Sequence, residues 1–307
     1  MSELRFDDRA VIVTGAGRGV GRSHALSLAS RGAKVVVADL GGELDGSGSS
    51  AGPAEDVVKE IKDAGGEAVA AHASVADAKG AESIVQAALD TFGRLDVVVN
   101  NAGIADPDLF EDLSLERFRK MVDVHYLGTV NVTFAAWPHF LKSGGGRVVN
   151  TTSEGALGTV PKCTSYGGAK GGVLAFTKAL ANDGMRHKIA VNAVAPRANT
   201  RLSAPWVLAK TYDLPEEMFT ESDTMAKFDP ALVTPAAVFL AHESCQLNGE
   251  VLVSGGGQVM RMVIMENEGI TKDDLTPEDI ADNFDQLMDL STAQEVKVET
   301  LLDEVEH

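Results

Sequence analysis

Thr14-Gly15-Ala16-Gly17-Arg18-Gly19-Val20-Gly21 joins the β-branched run Ala10–Thr14 to a helical pattern that starts near Arg22. Glycines at such a strand-to-helix turn let the chain bend tightly and bring bare backbone close to a ligand. The helix start that follows offers unpaired N–H groups and a partial positive charge, which suits a phosphate. A glycine-rich turn by itself decides little. Placed after the first buried strand, before a helix and inside a βαβ unit, it predicts a dinucleotide cradle built from Gly15, Gly17, Arg18, Gly19, Val20 and Gly21.

Working outward, Ala10–Thr14, Lys34–Asp39, Ala68–Ala73, Leu95–Asn100, Arg147–Asn150, Ala190–Ala195 and Glu250–Ser254 are continuous apolar runs rather than alternating ones. That is the pattern of strands covered on both faces. Helical patterns lie between them, such as Ala81–Phe92 with Ile84, Val85, Ala88 and Leu89 on one side. The expected architecture is α/β, a Rossmann-type doubly wound parallel sheet of seven strands with helices on both faces, forming one domain over residues 1–260. Two segments interrupt the rhythm. Gly41–Pro53 is a Gly- and Ser-rich excursion, and Arg201–Pro230 carries Leu202, Trp206, Val207, Leu208, Tyr212, Met218, Phe219 and Phe228. A long segment so rich in large apolar groups suits a substrate loop, about residues 199–230, with Leu202 and Trp206 facing the substrate.

The net charge of −18 argues against nucleic acid or an anionic membrane as partner, and no apolar run is long enough to insert into one. The charge is uneven: fourteen acidic residues against two basic ones after Ile264 put −12 of it in the last 43 residues. Residues 261–307 are therefore expected to be an acidic helical extension. Thr276-Pro277 provides its cap, and Ile280, Phe284, Leu287 and Met288 give it one apolar face to pack on the body or a partner subunit. Cys163 and Cys245 match no metal spacing, so reduced thiols and no metal site are expected.

Asp39 closes the second strand, where a carboxylate can accept hydrogen bonds from the adenosine ribose and repel a 2′-phosphate. Arg18 pulls the other way, but the acidic residue sits nearer the ribose, which favours NAD over NADP. Tyr166 and Lys170, at i and i+4, share a helix face. The ammonium is expected to draw the phenol pKa down towards working pH, so that Tyr166 exchanges a proton with a substrate oxygen while hydride moves to or from a nicotinamide. Ser153, thirteen residues earlier and just past a strand, can hydrogen-bond that same oxygen.

With these residues in place, the chain resembles the short-chain dehydrogenase/reductase family over about residues 8–257. The likeness includes the glycine turn, Asn100-Asn101-Ala102-Gly103, the Ser153/Tyr166/Lys170 set, and Val191-Asn192 leading to Pro196. It implies that Asn101, Ala102 and Gly103 line the cofactor cleft, that Pro196, Ala198 and Thr200 meet the nicotinamide end, and that Leu40, Ser74 and Val75 meet the adenosine end. His125 stands where that family carries a relay Asn, and an imidazole could serve the relay or simply be a buried, backbone-satisfied histidine. Arg197 replaces a usual glycine, and Ala73 a usual Asp.

Asp39-Leu40-Gly41-Gly42, His125, and His242-Glu243-Ser244-Cys245 with Asn248-Gly249 narrow the likeness further. Together they resemble the (3R)-hydroxyacyl-CoA dehydrogenase unit of peroxisomal type 2 multifunctional enzymes, and the likeness continues through Leu275-Thr276-Pro277-Glu278. It implies NAD-dependent oxidation of a (3R)-hydroxyacyl-CoA to its 3-ketoacyl-CoA, and a homodimer or homotetramer. Arg197, Arg201 and Lys210 are the cations available for CoA phosphates. The apolar loop suits a steroid or another bulky secondary alcohol as well. A catalytically silent dinucleotide-binding regulator is the alternative of another class. The ending Glu306-His307 carries no peroxisomal signal, so a cytoplasmic enzyme is expected.

Overall fold

The computed structural model describes residues 3–220 and 227–296, which fall in two compact units, Met1–Arg261 and Met262–His307. In the first unit the apolar runs are strands: β1 (Ala10–Thr14), β2 (Lys34–Ala38), β3 (Glu67–Ala71), β4 (Val97–Asn100), β5 (Gly146–Thr151), β6 (Ile189–Pro196) and β7 (Val251–Gly255). They pair in parallel in the order β3-β2-β1-β4-β5-β6-β7. An eighth strand, β8 (Gln258–Met262), extends the sheet beyond β7, so the expected count of seven is one short. Gly256 and Gly257, at φ 58° and 79°, are all that separates the two, and so short a link joins only antiparallel neighbours. The half-exposed Gln-Val-Met-Arg-Met run lacks the buried signature of the other strands.

Side-chain alternation explains why the inner strands are apolar throughout. Val11, Val13, Val35, Val37, Val97 and Val99 point into one core, with α1 (Gly19–Ser30) and α2 (Gly52–Asp63). Ile12, Val36, Val98, Val148 and Val191 point into the other, with α3 (Ala78–Phe92) and, beyond α4 (Leu115–Val122), α5 (Gly128–Ser143). Both faces exclude water, so no strand position is free to be polar unless it is bonded. The exceptions show the rule. Asn100 and Asn150 are buried between the layers, and Asn100 donates to Thr133 (2.9 Å) and to Asn150 (2.9 Å), which donates to Thr177 (3.0 Å). Chain order then brings α6 (Thr164–Met185), α7 (Pro205–Tyr212), the one-turn α8 (Glu217–Thr220) and α9 (Thr234–Ala241).

The second unit departs from the single helix expected. Thr276 caps as read, exchanging hydrogen bonds with Asp279, but the helix Pro277–Asp282 ends at Asn283 and a separate turn, Phe284–Met288, follows. Asn283 leaves helical geometry (φ −113°, ψ 27°) and its amide donates to the carbonyl of Asp279 at 2.8 Å, an alternative to helix continuation that asparagine favours. A two-stranded antiparallel ladder, Met265–Glu266 with Gln294–Glu295, is also present. Residues 297–307 of the expected extension, and 221–226 of the expected substrate loop, lie outside the described residues.

His24 is fully buried on α1, its Nδ1 2.9 Å from the Thr234 hydroxyl of α9, and burial pushes its pKa down to about 4. An unfolded histidine binds a proton near pH 6.5 that this one refuses, so stability falls as pH drops through the window from 6.5 to 4. Between pH 7 and pH 5 the loss is about 2 kcal/mol. Urea titrations at both pH values should show His24→Gln losing about 2 kcal/mol less than wild type. Equal losses would mean that His24 is not the group that titrates.

Candidate active site

The strand order reverses between β1 and β4, and the crevice outside their carboxyl ends is where this topology binds ligands. The glycine turn occupies that position. The Thr14 hydroxyl accepts the N–H groups of Asn101 (3.0 Å) and Ala102 (3.1 Å), while the Asn101 amide donates to the carbonyls of Thr14 (2.9 Å) and Gly15 (3.2 Å). A Cβ on Gly15 would lie 2.7 Å from the Ala102 Cα, so this close approach needs a glycine. Gly21 works from behind, since a Cβ there would lie 2.2 Å from the Gly15 carbonyl oxygen. Arg18 begins α1 with no side-chain cap and no acidic residue in the first turn. Its leading N–H groups are therefore free to meet an anion, as a dinucleotide's diphosphate requires.

Two adjoining cavities form the cleft and share Gly15, Asp39, Gly103 and Arg201. The first is lined by Arg18, Gly19, Val20, Asn101, His125, Tyr166, Lys170, Pro196, Ala198, Thr200 and Leu202, and the second by Leu40, Ser74, Val75 and Ala102. Of the expected cofactor residues, Gly17 and Gly21 stand behind the wall. Asp39 is fixed at the rim, its carboxylate accepting the N–H groups of Gly17 (2.7 Å) and Gly41 (2.6 Å). Trp206, expected at the substrate, is half-exposed and not part of the lining; Val207 beside it takes the buried position.

Ser153 follows β5 in extended geometry, its hydroxyl accepting the Gly155 N–H at 3.0 Å. Tyr166 and Lys170 stand one turn apart at the start of α6. Lys170 is buried, donates to the Thr151 carbonyl at 2.6 Å, and is pushed down to about pH 7 by that burial. Tyr166 departs from expectation: burial raises its pKa, and the neighbouring Ser153 hydroxyl only partly offsets this. Removing the phenolate from water costs more than the Ser153 hydroxyl returns.

His125 sits in a π-helical turn, Asp123–Leu127, inserted between α4 and α5. Such insertions recur at functional sites. Its ring packs edge-on to Tyr166 with centroids 5.2 Å apart, and its Nε2 lies 2.9 Å from the Ile104 carbonyl and 3.1 Å from the Ile104 N–H. Burial, and then Lys170, hold it neutral. Nδ1 is buried with no hydrogen-bond partner among the described residues.

Sequence reasoning missed one ion pair here. Arg197 makes two hydrogen bonds, 2.7 and 2.6 Å, to the carboxylate of Glu154, joining the loop after β6 to the residue next to Ser153. Glu154 is held below the usual carboxylate range by this contact. Lys210 is 3.3 Å from Asp108, so two of the three cations considered for CoA already have partners. Only the adjacency of Glu154 to Ser153 could have flagged the pair.

The family profile for short chain dehydrogenases matches residues 9–206, and the chain belongs to that family. It is 42% identical over 289 residues to a Mycobacterium tuberculosis protein named as a short-chain type dehydrogenase/reductase, covering 94% of this chain and 96% of that one. It is 39% identical over 297 residues to the peroxisomal multifunctional enzyme type 2 of Mus musculus, covering 95% of this chain but 38% of the mouse protein. Among solved structures, carveol dehydrogenase from Mycobacterium avium in complex with NAD superposes with a TM-score of 0.74 at 28% identity, covering 82% of this chain and 97% of that one. The protein is an oxidoreductase acting on CH–OH groups with a nicotinamide dinucleotide cofactor. No helix among the described residues is long and apolar enough to cross a membrane.

If the Glu154–Arg197 pair holds the Ser153 loop in register, Glu154→Gln should lower kcat several-fold with little change in cofactor affinity. The charge swap Glu154→Arg with Arg197→Glu should recover part of it. A swap that recovers nothing while the fold is intact would argue for a role unrelated to the pairing.

Proposed function

We propose that this protein interconverts a secondary alcohol and its ketone with NAD, using Tyr166 to exchange the proton, Ser153 to hold the reacting oxygen, and Lys170 with His125 to carry the proton onward. What carries this is the meeting of Tyr166, Lys170 and His125 in one cavity with Gly15, Gly19 and Asp39. A bound nicotinamide dinucleotide would supply the hydride acceptor or donor. In the oxidising direction the Tyr166 phenol passes its own proton towards neutral Lys170 as it takes up the alcohol proton and the C–H bond breaks, and in reduction the two transfers run in reverse. Lys170, brought to about 7, is the adjoining group able to gain or lose a proton at neutral pH. The unpartnered Nδ1 of His125 gives the relay a further site. The Asp39 carboxylate at the rim of the cleft supports NAD rather than NADP, since it would repel a 2′-phosphate.

The substrate that the sequence likeness supports best is a (3R)-hydroxyacyl-CoA, through the similarity to peroxisomal multifunctional enzyme type 2 across 95% of the chain. One observation favours a hydroxysteroid or other bulky secondary alcohol instead: Arg197 and Lys210 are engaged by Glu154 and Asp108, leaving few cations for CoA phosphates. A homodimer or homotetramer is supported by Leu127, Phe134 and Leu141, exposed apolar residues seven apart along the helix leading into and through α5.

Tyr166→Phe should reduce turnover by about 10²–10⁴-fold while NADH binding stays near wild type. A fully active variant would remove Tyr166 from its assigned role, and no activity of the wild type on any alcohol would favour the silent regulator. Initial rates with a 3-hydroxyacyl-CoA panel against a steroid panel separate the two substrate classes. Good steroid turnover with none on any acyl-CoA would end the hydroxyacyl-CoA assignment. Asp39→Ala should narrow the preference for NADH over NADPH; an unchanged ratio would show that selectivity lies elsewhere.

A further inference from the structure

Three residues beside the cleft close a ring of hydrogen bonds. The Lys162 ammonium donates to the Lys210 carbonyl at 3.0 Å, the Lys210 ammonium donates to the Asp108 carboxylate at 3.3 Å, and the Asp108 N–H returns to the Lys162 carbonyl at 2.9 Å. Further ion pairs brace it. Lys162 also pairs with Asp213, the residue that caps the end of α7, and Arg117 donates to both Asp106 (2.7 Å) and Asp108 (2.9 Å). Arg117, more than Lys210, holds the Asp108 carboxyl below the usual carboxylate range, so it is charged at neutral pH.

Each ring member is reached directly from the cleft wall. Gly103 and Ile104 line the cleft and lead on to Asp108, Leu202 and Ser203 line it and lead into α7 with Lys210, and Tyr166 follows Lys162 by a few residues. The backbone shows that Lys162 is held there at a cost. Its φ is 55°, in the left-handed region where a glycine rests easily and a lysine does not. Asp213 has the same φ of 55°. Strain of this kind persists where surrounding contacts over-determine the residue, and it collects at ligand clamps and switch segments. The side chain accounts for it. Only 12% of the Lys162 side chain is exposed, and a covered ammonium needs acceptors, which the Lys210 carbonyl and the Asp213 carboxylate supply. A glycine at this position would relieve the backbone and lose the tie.

We propose that Lys162 is a positioning residue that ties α7 to the segment after β4 and to the loop before α6, and so sets how widely the substrate end of the cleft opens. The proposal rests on the alcohol–ketone reading for what enters there. Lys162 is not part of the cleft lining; it acts through α7, keeping Leu202 and Ser203 at a fixed distance from Tyr166.

Trypsin cleavage after Lys210 in the full chain, located by mass, reads the tie without any substrate. KM and kcat for a 3-hydroxyacyl-CoA panel and a steroid panel read its consequence. Lys162→Gly and Asp213→Asn should each speed that cleavage and raise KM by about fivefold, with kcat and NADH affinity near wild type. Added salt should move the wild type towards the variants, because the Asp213 side chain is 78% exposed and its pairing is screened. Lys162→Asp with Asp213→Lys should recover part of the loss, since each residue type takes a backbone geometry it already adopts at the other position. Cleavage of Lys162→Gly at the wild-type rate would overturn the tie, whatever KM does. Faster cleavage with unchanged KM would overturn the positioning role. Wild type inert towards both panels would instead end the alcohol–ketone reading, and with it the role assigned to the tie.

Discussion

The contact between the glycine turn and the segment after β4 is the constraint on which the cleft depends. Asn101 and the Thr14 hydroxyl hold two loops so close that the backbone of Gly15 leaves no room for a side chain. That closeness keeps the start of α1 at the carboxyl edge of the sheet, facing the crevice. It also sets the neighbours. Gly103, two residues past Asn101, lies against His125, where a Cβ would come within 2.6 Å of the ring. His125 in turn packs on Tyr166. One tight backbone approach thus ties the phosphate end of the cleft to its proton-handling end.

Burial governs the chemistry at that second end. Three groups that can exchange protons, His125, Tyr166 and Lys170, stand in a place that favours their neutral forms. The histidine is driven down, the phenol up, and the ammonium to about 7. Charges introduced by a bound cofactor and substrate therefore act on groups poised to respond, with little water to screen them. The isolated view of an ammonium lowering a neighbouring phenol leaves out that the ammonium is desolvated too.

Much of the fold was legible because buried parallel strands must be apolar on both faces. Runs such as Lys34-Val35-Val36-Val37-Ala38 announce themselves. β8 was not legible, since an exposed edge strand needs no such run. The break at Asn283 was hidden for a related reason: apolar spacing marks one face of a helix but does not report whether the helix is continuous. In the site, motif residues close in sequence were readable, whereas the partners of charged side chains were not. Arg197 finds Glu154 43 positions away, and Arg201 meets Gly42 across 159.

By itself the sequence determined the doubly wound α/β class, the glycine turn, and the Tyr166/Lys170 pair with Ser153 before it. Each of these is local: strand burial, turn geometry and helical spacing act over a few residues. Only the tertiary structure decided the protonation preferences in the cleft, the ion pair between Arg197 and Glu154, the π-helical turn that carries His125, and the exclusion of Trp206 from the wall. Those depend on desolvation and on contacts between distant segments, and neither quantity exists until the chain has folded.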